Sequence, residues 1–203
     1  MRIIRPFKSI PPIKREDLNY NFVDFAWITS YFKEDEVEKI RAIWDEQKAK
    51  EAEVNSEGKA ASKEDLRKSK IMFLKPEGNE WIYDKLAKAC IQINGNRFQY
   101  DIRGFQTELQ LACYDSEDFF DWHMDFGVGD VSNRKLSITV QLCADEEYEG
   151  GDLQFMINKD IHTASRVKGT AVIFPSFAPH RVTRVTKGKR MSIVGWIAGP
   201  PYR

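Results

Sequence analysis

The chain has 203 residues, enough for one domain with a substantial core. Its 31 basic and 31 acidic residues balance, which argues against a nucleic-acid-binding surface or a polybasic membrane surface. No apolar run approaches the ~20 residues that a membrane span requires, and the N-terminus lacks the apolar core of a signal peptide. Three widely spaced cysteines, Cys90, Cys113 and Cys143, indicate reduced thiols. We therefore expect a cytoplasmic protein with neither a nucleic-acid nor a membrane partner; the composition leaves its oligomeric state open.

The first half of the chain predicts two helices separated by a polar loop. Three prolines near the N-terminus indicate an extended arm. Apolar residues then recur at helical spacing in two stretches, the first of which has acidic residues in its opening turn. In chain order, the predictions are an arm at 1–20, a strand at 21–29, a helix from Lys33 to about 53, a mobile loop at about 54–69, a short strand at 71–74, and a helix at 80–93 that stops at Asn94-Gly95.

The second half reads as strands to the end. About eight short strands, beginning with 98–102 and 105–114 and ending with 190–198, follow one another with glycine and proline turns and no helix between them. This pattern predicts a mostly β, α+β fold, a double-stranded β-helix (jelly roll) with the N-terminal helices packed on one sheet. We expect residues 1–96 to form a helical support region and 97–203 a jelly-roll catalytic core, together making one structural domain.

The run His123-Met124-Asp125 carries the strongest chemical signal. On a strand, residues two apart point to the same face, so the imidazole and the carboxylate lie side by side. The chain contains only two other histidines, His162 and His180. A proline-rich bend delivers His180 to the start of a strand, which completes a set of two histidines and one carboxylate that holds Fe(II) and leaves coordination positions open. We expect His162 to lie outside the ligand set, either on the surface or behind a ligand.

Two further residues suggest an organic diacid beside the metal. Arg190 opens the last strand, where an isolated buried guanidinium would be costly unless it met a carboxylate. Tyr114, on a preceding strand, could donate its hydroxyl to the same carboxylate; the alternative is a core tyrosine.

These pieces together resemble the 2-oxoglutarate- and Fe(II)-dependent dioxygenases, in particular the prolyl-4-hydroxylase-like branch that includes the PKHD-type hydroxylases. Besides the residues already named, the matching text is Arg134-Lys135-Leu136-Ser137, Tyr148-Glu149-Gly150-Gly151-Asp152-Leu153 and Phe174-Pro175-Ser176. The match covers about residues 104–199. Glu117 departs from the family pattern, since many relatives have glycine there, and this leaves the shape of the substrate entrance open.

The resemblance implies a role for each matched position. His123, Asp125 and His180 would bind Fe(II), and Arg190 would bind the distal carboxylate of 2-oxoglutarate with help from Tyr114 and Ser192. Trp196 matches an aromatic residue that lines the substrate pocket, although core packing would explain it as well. The implied cofactors are Fe(II), 2-oxoglutarate and O2, with ascorbate as an optional addition.

The implied reaction is hydroxylation of an unactivated C–H bond, with a prolyl residue of a peptide or protein as the first choice of substrate. A free amino acid or another small metabolite is the alternative. A jelly roll that binds metal and diacid without catalysis is a third reading, but such a protein would not need open coordination positions. Trp196 stands where base-repair relatives carry a second arginine, which argues against a nucleic-acid substrate.

Overall fold

This computed structural model describes residues 25–52 and 66–202 of the chain. The arm predicted for residues 1–20 and most of the loop predicted for 54–69 lie outside this part. The first half contributes β1 (Ala26–Ile28), α1 (Glu34–Arg41), β2 (Lys50–Glu51), β3 (Arg67–Lys68), β4 (Lys70–Leu74) and α2 (Glu80–Ile93).

The second half is built from strands, with a π-helical turn at its start and two short 3-10 turns between strands. The strands are β5 (Gly104–Phe105), β6 (Leu109–Tyr114), β7 (Phe119–His123), β8 (Arg134–Gln141), β9 (Tyr148–Gly150), β10 (Leu153–Ile157), β11 (Asp160–Thr163), β12 (Ala171–Pro175), β13 (His180–Val182), β14 (Val185–Gly188) and β15 (Arg190–Ala198).

The strands form two larger antiparallel sheets and a small two-stranded sheet. The larger sheet has the order β1-β12-β8-β15-β6-β4-β2, with β5 also paired to β15. The smaller sheet has the order β11-β10-β13-β7-β3, and β14 pairs with β9. This mostly β, jelly-roll architecture confirms the predicted fold class.

The helices cover one face of the larger sheet, as predicted. α2 contacts β8 and β12 and buries Ile82, Leu86, Ala89 and Cys90. α1 buries Val37 and Ile40. Burying each large aliphatic side chain contributes roughly 1.5–3 kcal/mol, so this layer anchors the sheet whose other face carries polar residues of the site.

The first helix is shorter than predicted. It ends at Arg41 and not near residue 53. The backbone N–H groups of Ile43 and Trp44 bond to carbonyls only three residues back, and the Asp45 side chain accepts a hydrogen bond from Gln47 N–H at 3.0 Å. This side-chain bond competes with the helical ladder and turns the chain toward β2.

The strand predicted at 98–102 is wrong. The chain continues beyond α2 as a π-helical turn, Asn94–Phe98, which ends at Gln99 with φ 57°. The Asn94 side chain bonds both the N–H and the carbonyl of Tyr100, at 3.0 and 2.9 Å. The α-helix itself ends at Ile93, in agreement with the stop predicted at Asn94-Gly95, and the π-helical turn follows it.

The described residues of the first half contain more strands than predicted. Among them are β1 to β4, and all four pair with strands of the second half or with each other. The end of the predicted 54–69 loop is β3, which pairs with β7. The division into a support region and a catalytic core remains a prediction.

Candidate metal and cosubstrate site

The smaller sheet brings the three predicted metal ligands together. β7 and β13 run antiparallel, and His123 stands directly opposite His180. Asp125 follows β7 and is fixed by its backbone N–H, which donates to the Ser176 carbonyl at 2.9 Å. One ligand atom from each of His123, Asp125 and His180 lies within 4.8 Å of the others.

The backbone orients both imidazoles toward Asp125. His123 Nδ1 lies 2.7 Å from the Asp121 carbonyl and His180 Nδ1 lies 2.9 Å from the Ala178 carbonyl. A neutral ring that donates from Nδ1 keeps the lone pair of Nε2 free for a metal. The two Nε2 atoms lie 3.8 and 3.6 Å from the two Asp125 carboxylate oxygens.

The electrostatics of the cluster favour the protonation states that bind metal. Burial, reinforced by the neighbouring His180, lowers the pKa of His123 to about 3. For Asp125, burial alone would raise the pKa, but His180, His123 and the hydrogen bond from Ser137 outweigh it and lower the pKa. The set therefore offers a neutral imidazole from His123 and an ionised carboxylate at neutral pH.

A pair of buried serines, which the sequence analysis named in the matching segments without assigning them a role, orients the Asp125 carboxylate. Ser137 on β8 donates to Asp125 Oδ2 at 2.7 Å, and its hydroxyl lies 3.1 Å from that of Ser176. Both serines are fully buried. The hydrogen bond from Ser137 holds Oδ2 near His180 Nε2, and Oδ1 then lies near His123 Nε2.

This donor set suits Fe(II). Two imidazole nitrogens and one carboxylate oxygen on one side leave the remaining coordination positions to small molecules, the arrangement of non-haem iron oxygenases. No further histidine, cysteine or acidic residue of the described chain joins the cluster.

Arg190 is the buried cation that the sequence predicted. The side chain is 1% exposed, its terminal nitrogens donate to Ser192 Oγ at 3.3 Å and Gln141 Oε1 at 3.1 Å, and its Nε has no hydrogen-bond partner among the described residues. No acidic side chain in the part of the chain that the structure describes forms an ion pair with it. A buried, unpaired guanidinium costs several kcal/mol, which a bound carboxylate would offset.

Tyr114 and Ser192 lie beside Arg190. Tyr114 is its cross-strand partner, and its ring centroid lies 5.3 Å from the guanidinium carbon. Ser192 accepts a hydrogen bond from Arg190, which indicates that it orients the guanidinium. All three side chains are buried on the same face of the larger sheet.

Trp196 lies at the Asp125 end of the same face. It is 7% exposed, and its indole N–H is buried without a hydrogen-bond partner among the described residues, although it contributes to the low pKa of Asp125. The Arg134 guanidinium lies 4.1 Å above its ring and donates to the Asp125 carbonyl at 3.2 Å. Trp196 therefore borders the metal ligands and is not merely packed in the core.

His162 does not join the cluster. It lies on the edge strand β11, opposite Phe155, and is exposed.

The sequence analysis assigned no role to Ser137 or Gln141, but polar and apolar residues alternate along β8 in a way that could have indicated one. Ser137, Thr139 and Gln141 are buried, and apolar residues stand between them. Three polar residues at period two on a strand with apolar neighbours indicate a sheet face that lines a polar site. Their cross-strand partners on β15, in order, are Trp196, Val194 and Ser192.

Comparison with known families decides what this core is. Residues 109–198 match the family model of the 2OG-Fe(II) oxygenase superfamily. Residues 109–198 are therefore similar to the members of this superfamily. The similarity implies Fe(II) and 2-oxoglutarate as cofactors and O2 as co-substrate.

Curated relatives of the oxygenase core are PKHD-type hydroxylases. The chain is 37% identical over 91 residues to one from Hyphomonas neptunium, a match that covers 43% of this chain and 41% of that protein. It is 36% identical over 101 residues to another from Synechococcus sp., covering 47% of this chain and 46% of that protein. The matches thus span only about half the length of these relatives or less.

Solved structures share the fold over a longer stretch. A Pseudomonas putida prolyl-4-hydroxylase superposes with a TM-score of 0.69 at 20% identity, covering 87% of this chain and 93% of that one. A Trichoplax adhaerens prolyl hydroxylase, solved with a hypoxia inducible factor peptide fragment, gives 0.71 at 18% identity, covering 91% and 86%. The likeness of the fold therefore extends beyond the jelly-roll core.

The described residues contain no helix long and apolar enough to cross a membrane.

Proposed function

We propose that this protein is a 2-oxoglutarate-dependent dioxygenase that hydroxylates an unactivated C–H bond. The observation that carries the proposal is the convergence of His123, Asp125 and His180 in a superfamily core that also buries an unpaired Arg190. This chemistry needs a metal ion with free coordination positions and a basic residue that binds the distal carboxylate of 2-oxoglutarate.

Each residue has a distinct task in the proposal. His123, Asp125 and His180 hold Fe(II) from one side. Arg190 binds the distal carboxylate of 2-oxoglutarate, and its lack of an acidic partner among the described residues supports this role. Ser192 is assigned to the orientation of Arg190.

The surroundings of these residues support the proposed chemistry. When bound, Fe(II) and 2-oxoglutarate supply the oxidation, in which O2 places one atom in succinate and one in the hydroxylated product while CO2 leaves. Tyr114 lies beside Arg190, and Trp196 lies on the Asp125 side of the same sheet face. Phe174 and Phe155 wall off His180 with rings 4.6 and 6.0 Å from the imidazole, which keeps water from that side.

For the substrate, we propose a prolyl residue in a peptide or protein. The support is the likeness to PKHD-type hydroxylases and to prolyl hydroxylase structures, one of which contains a peptide. Ascorbate stays a prediction.

An intracellular location is part of the proposal. Cys90, Cys113 and Cys143 are all buried and unpaired, as expected for a protein kept in a reducing compartment.

The test is turnover by the full chain loaded with Fe(II). We expect succinate from 2-oxoglutarate, and a gain of one oxygen by mass spectrometry in proline-rich peptides. If the iron-loaded protein forms no succinate, the proposed dioxygenase activity is wrong. If it oxidises free amino acids and not peptides, the dioxygenase activity is supported and the proposed peptide substrate is wrong.

A further inference from the structure

Arg67 lies outside the superfamily match yet next to the metal ligands. It sits on β3, the edge strand of the smaller sheet, and its cross-strand partner is Phe120 on β7. β7 also carries His123, so the pairing places an arginine from the N-terminal half beside the strand of a metal ligand.

The guanidinium of Arg67 lies over the ring of Phe120. Its central carbon lies 4.5 Å from the centroid of the Phe120 ring. The Phe120 ring in turn lies on the His123 imidazole, with centroids 3.4 Å apart and an interplanar angle of 10°. Arg67 is thus one aromatic layer away from a metal-ligating side chain, and it is only half-buried.

The charge of Arg67 is not neutralised within the described part of the chain. Its Nε donates to Ser69 Oγ at 2.8 Å, and its two terminal nitrogens have no acceptor among the described residues. Two cations in the neighbouring chain segments are paired by contrast: Lys68 with Asp118 at 3.3 Å and Arg184 with Glu117 at 3.3 Å.

A guanidinium whose two terminal nitrogens have no acceptor can bind a carboxylate. Stacking on Phe120 fixes the plane of the guanidinium, and a fixed fork binds a carboxylate bidentately with little loss of side-chain freedom. Arg190, the proposed cosubstrate residue, belongs to the other sheet, so the two cations serve different ligands.

We propose that Arg67 binds the primary substrate and selects one that carries a carboxylate close to the carbon to be hydroxylated. The inference rests on the proposed function. The carboxylate can come from an acidic residue beside the target in a peptide, or from the α-carboxylate of a free amino acid.

The experiment compares matched pairs of probes that differ only in the carboxylate. One pair is a capped proline peptide with glutamate or glutamine next to the proline, and the other is free proline or prolinamide. For the wild-type chain we expect kcat/KM to favour the carboxylate member of one pair by about tenfold, the effect of one charge-assisted hydrogen bond. The pair that shows the preference identifies the source of the carboxylate.

The variant Arg67→Met keeps an apolar stem on Phe120 and removes the charge. We expect the ratio of kcat/KM between the two members of the pair to fall to about one, chiefly through a higher KM for the carboxylate member. The matched control is Arg181→Met, because Arg181 stacks in the same way on Trp122 of the same strand, at 4.7 Å. The control should keep the wild-type preference.

Three results would overturn the proposal. They are an unchanged preference in Arg67→Met, an equal loss on both members of the pair, and a wild-type chain that makes succinate but oxidises no carboxylate-bearing probe. An iron-loaded wild type that makes no succinate would instead overturn the proposed function, and the inference with it.

Discussion

Among the three metal ligands, Asp125 depends most on other side chains for its orientation. It is buried between two histidines and receives a hydrogen bond from Ser137, itself backed by Ser176. An aspartate in this position without a donor could rotate away from the metal, since its side chain has two torsions and the histidines alone do not fix both.

We predict that Ser137→Ala weakens metal binding about 10- to 100-fold, because the carboxylate loses the donor that orients it. Calorimetric titration with Mn(II) measures the change. Thr139→Ala, a buried hydroxyl on the same strand that does not bond Asp125, serves as the control and should bind metal normally. Equal affinities in wild type and Ser137→Ala would remove Ser137 from the site.

At the other end of the face, Gln141 positions Arg190. Its side-chain oxygen accepts from a terminal nitrogen of Arg190 at 3.1 Å. We predict that Gln141→Leu lowers the affinity of the Mn(II)-loaded chain for 2-oxoglutarate by about tenfold or more, as expected for loss of a hydrogen bond to a charged group. Metal affinity should stay unchanged. A normal 2-oxoglutarate titration would show that Arg190 needs no such support.

Among the elements, the turn between β9 and β10 reverses the chain and also leaves room for the Arg190 side chain. Gly150 and Gly151 both have positive φ, at 71° and 63°. A Cβ on Gly151 would lie 3.0 Å from Arg190 Cδ. The absent side chain is therefore what lets the Arg190 stem lie where it does, a link that the sequence pattern alone did not disclose.

We predict that Gly151→Ala both destabilises the fold by about 1–2 kcal/mol, the cost of a left-handed residue, and weakens 2-oxoglutarate binding. Gly78→Ala is the matched control, because Gly78 has φ 82° but a Cβ added there would meet no atom within 4 Å. It should lose stability without losing affinity. If both variants bind 2-oxoglutarate like the wild type, Gly151 acts on stability alone.

The sequence predicted some elements to the residue and missed others for local reasons. The bounds of α2 and β15 came out as predicted, since both have clear periodicity and sharp ends. The end of α1 and the false strand at 98–102 each depend on one side chain, Asp45 or Asn94, that bonds the backbone nearby. Periodicity does not register such bonds.

In the whole molecule, the site lies where the two sheets meet. The smaller sheet supplies the two histidines and the larger one supplies Arg190, Tyr114 and Ser137. The sequence, together with the family resemblance, predicted that His123, Asp125 and His180 meet, and the structure confirms it. The placing of Arg190 beside the metal stays a prediction. Ser137, Gln141 and Arg67 could not be assigned in the same way, because their roles arise from strand pairing across long stretches of chain.

The proposed coupling of 2-oxoglutarate oxidation to hydroxylation can be followed atom by atom when 18O2 is supplied to the Fe(II)-loaded protein. We predict one labelled oxygen in succinate and one in the hydroxylated product, with both signals lost in Asp125→Ala. Succinate without label, or label that persists in Asp125→Ala, would contradict the coupling.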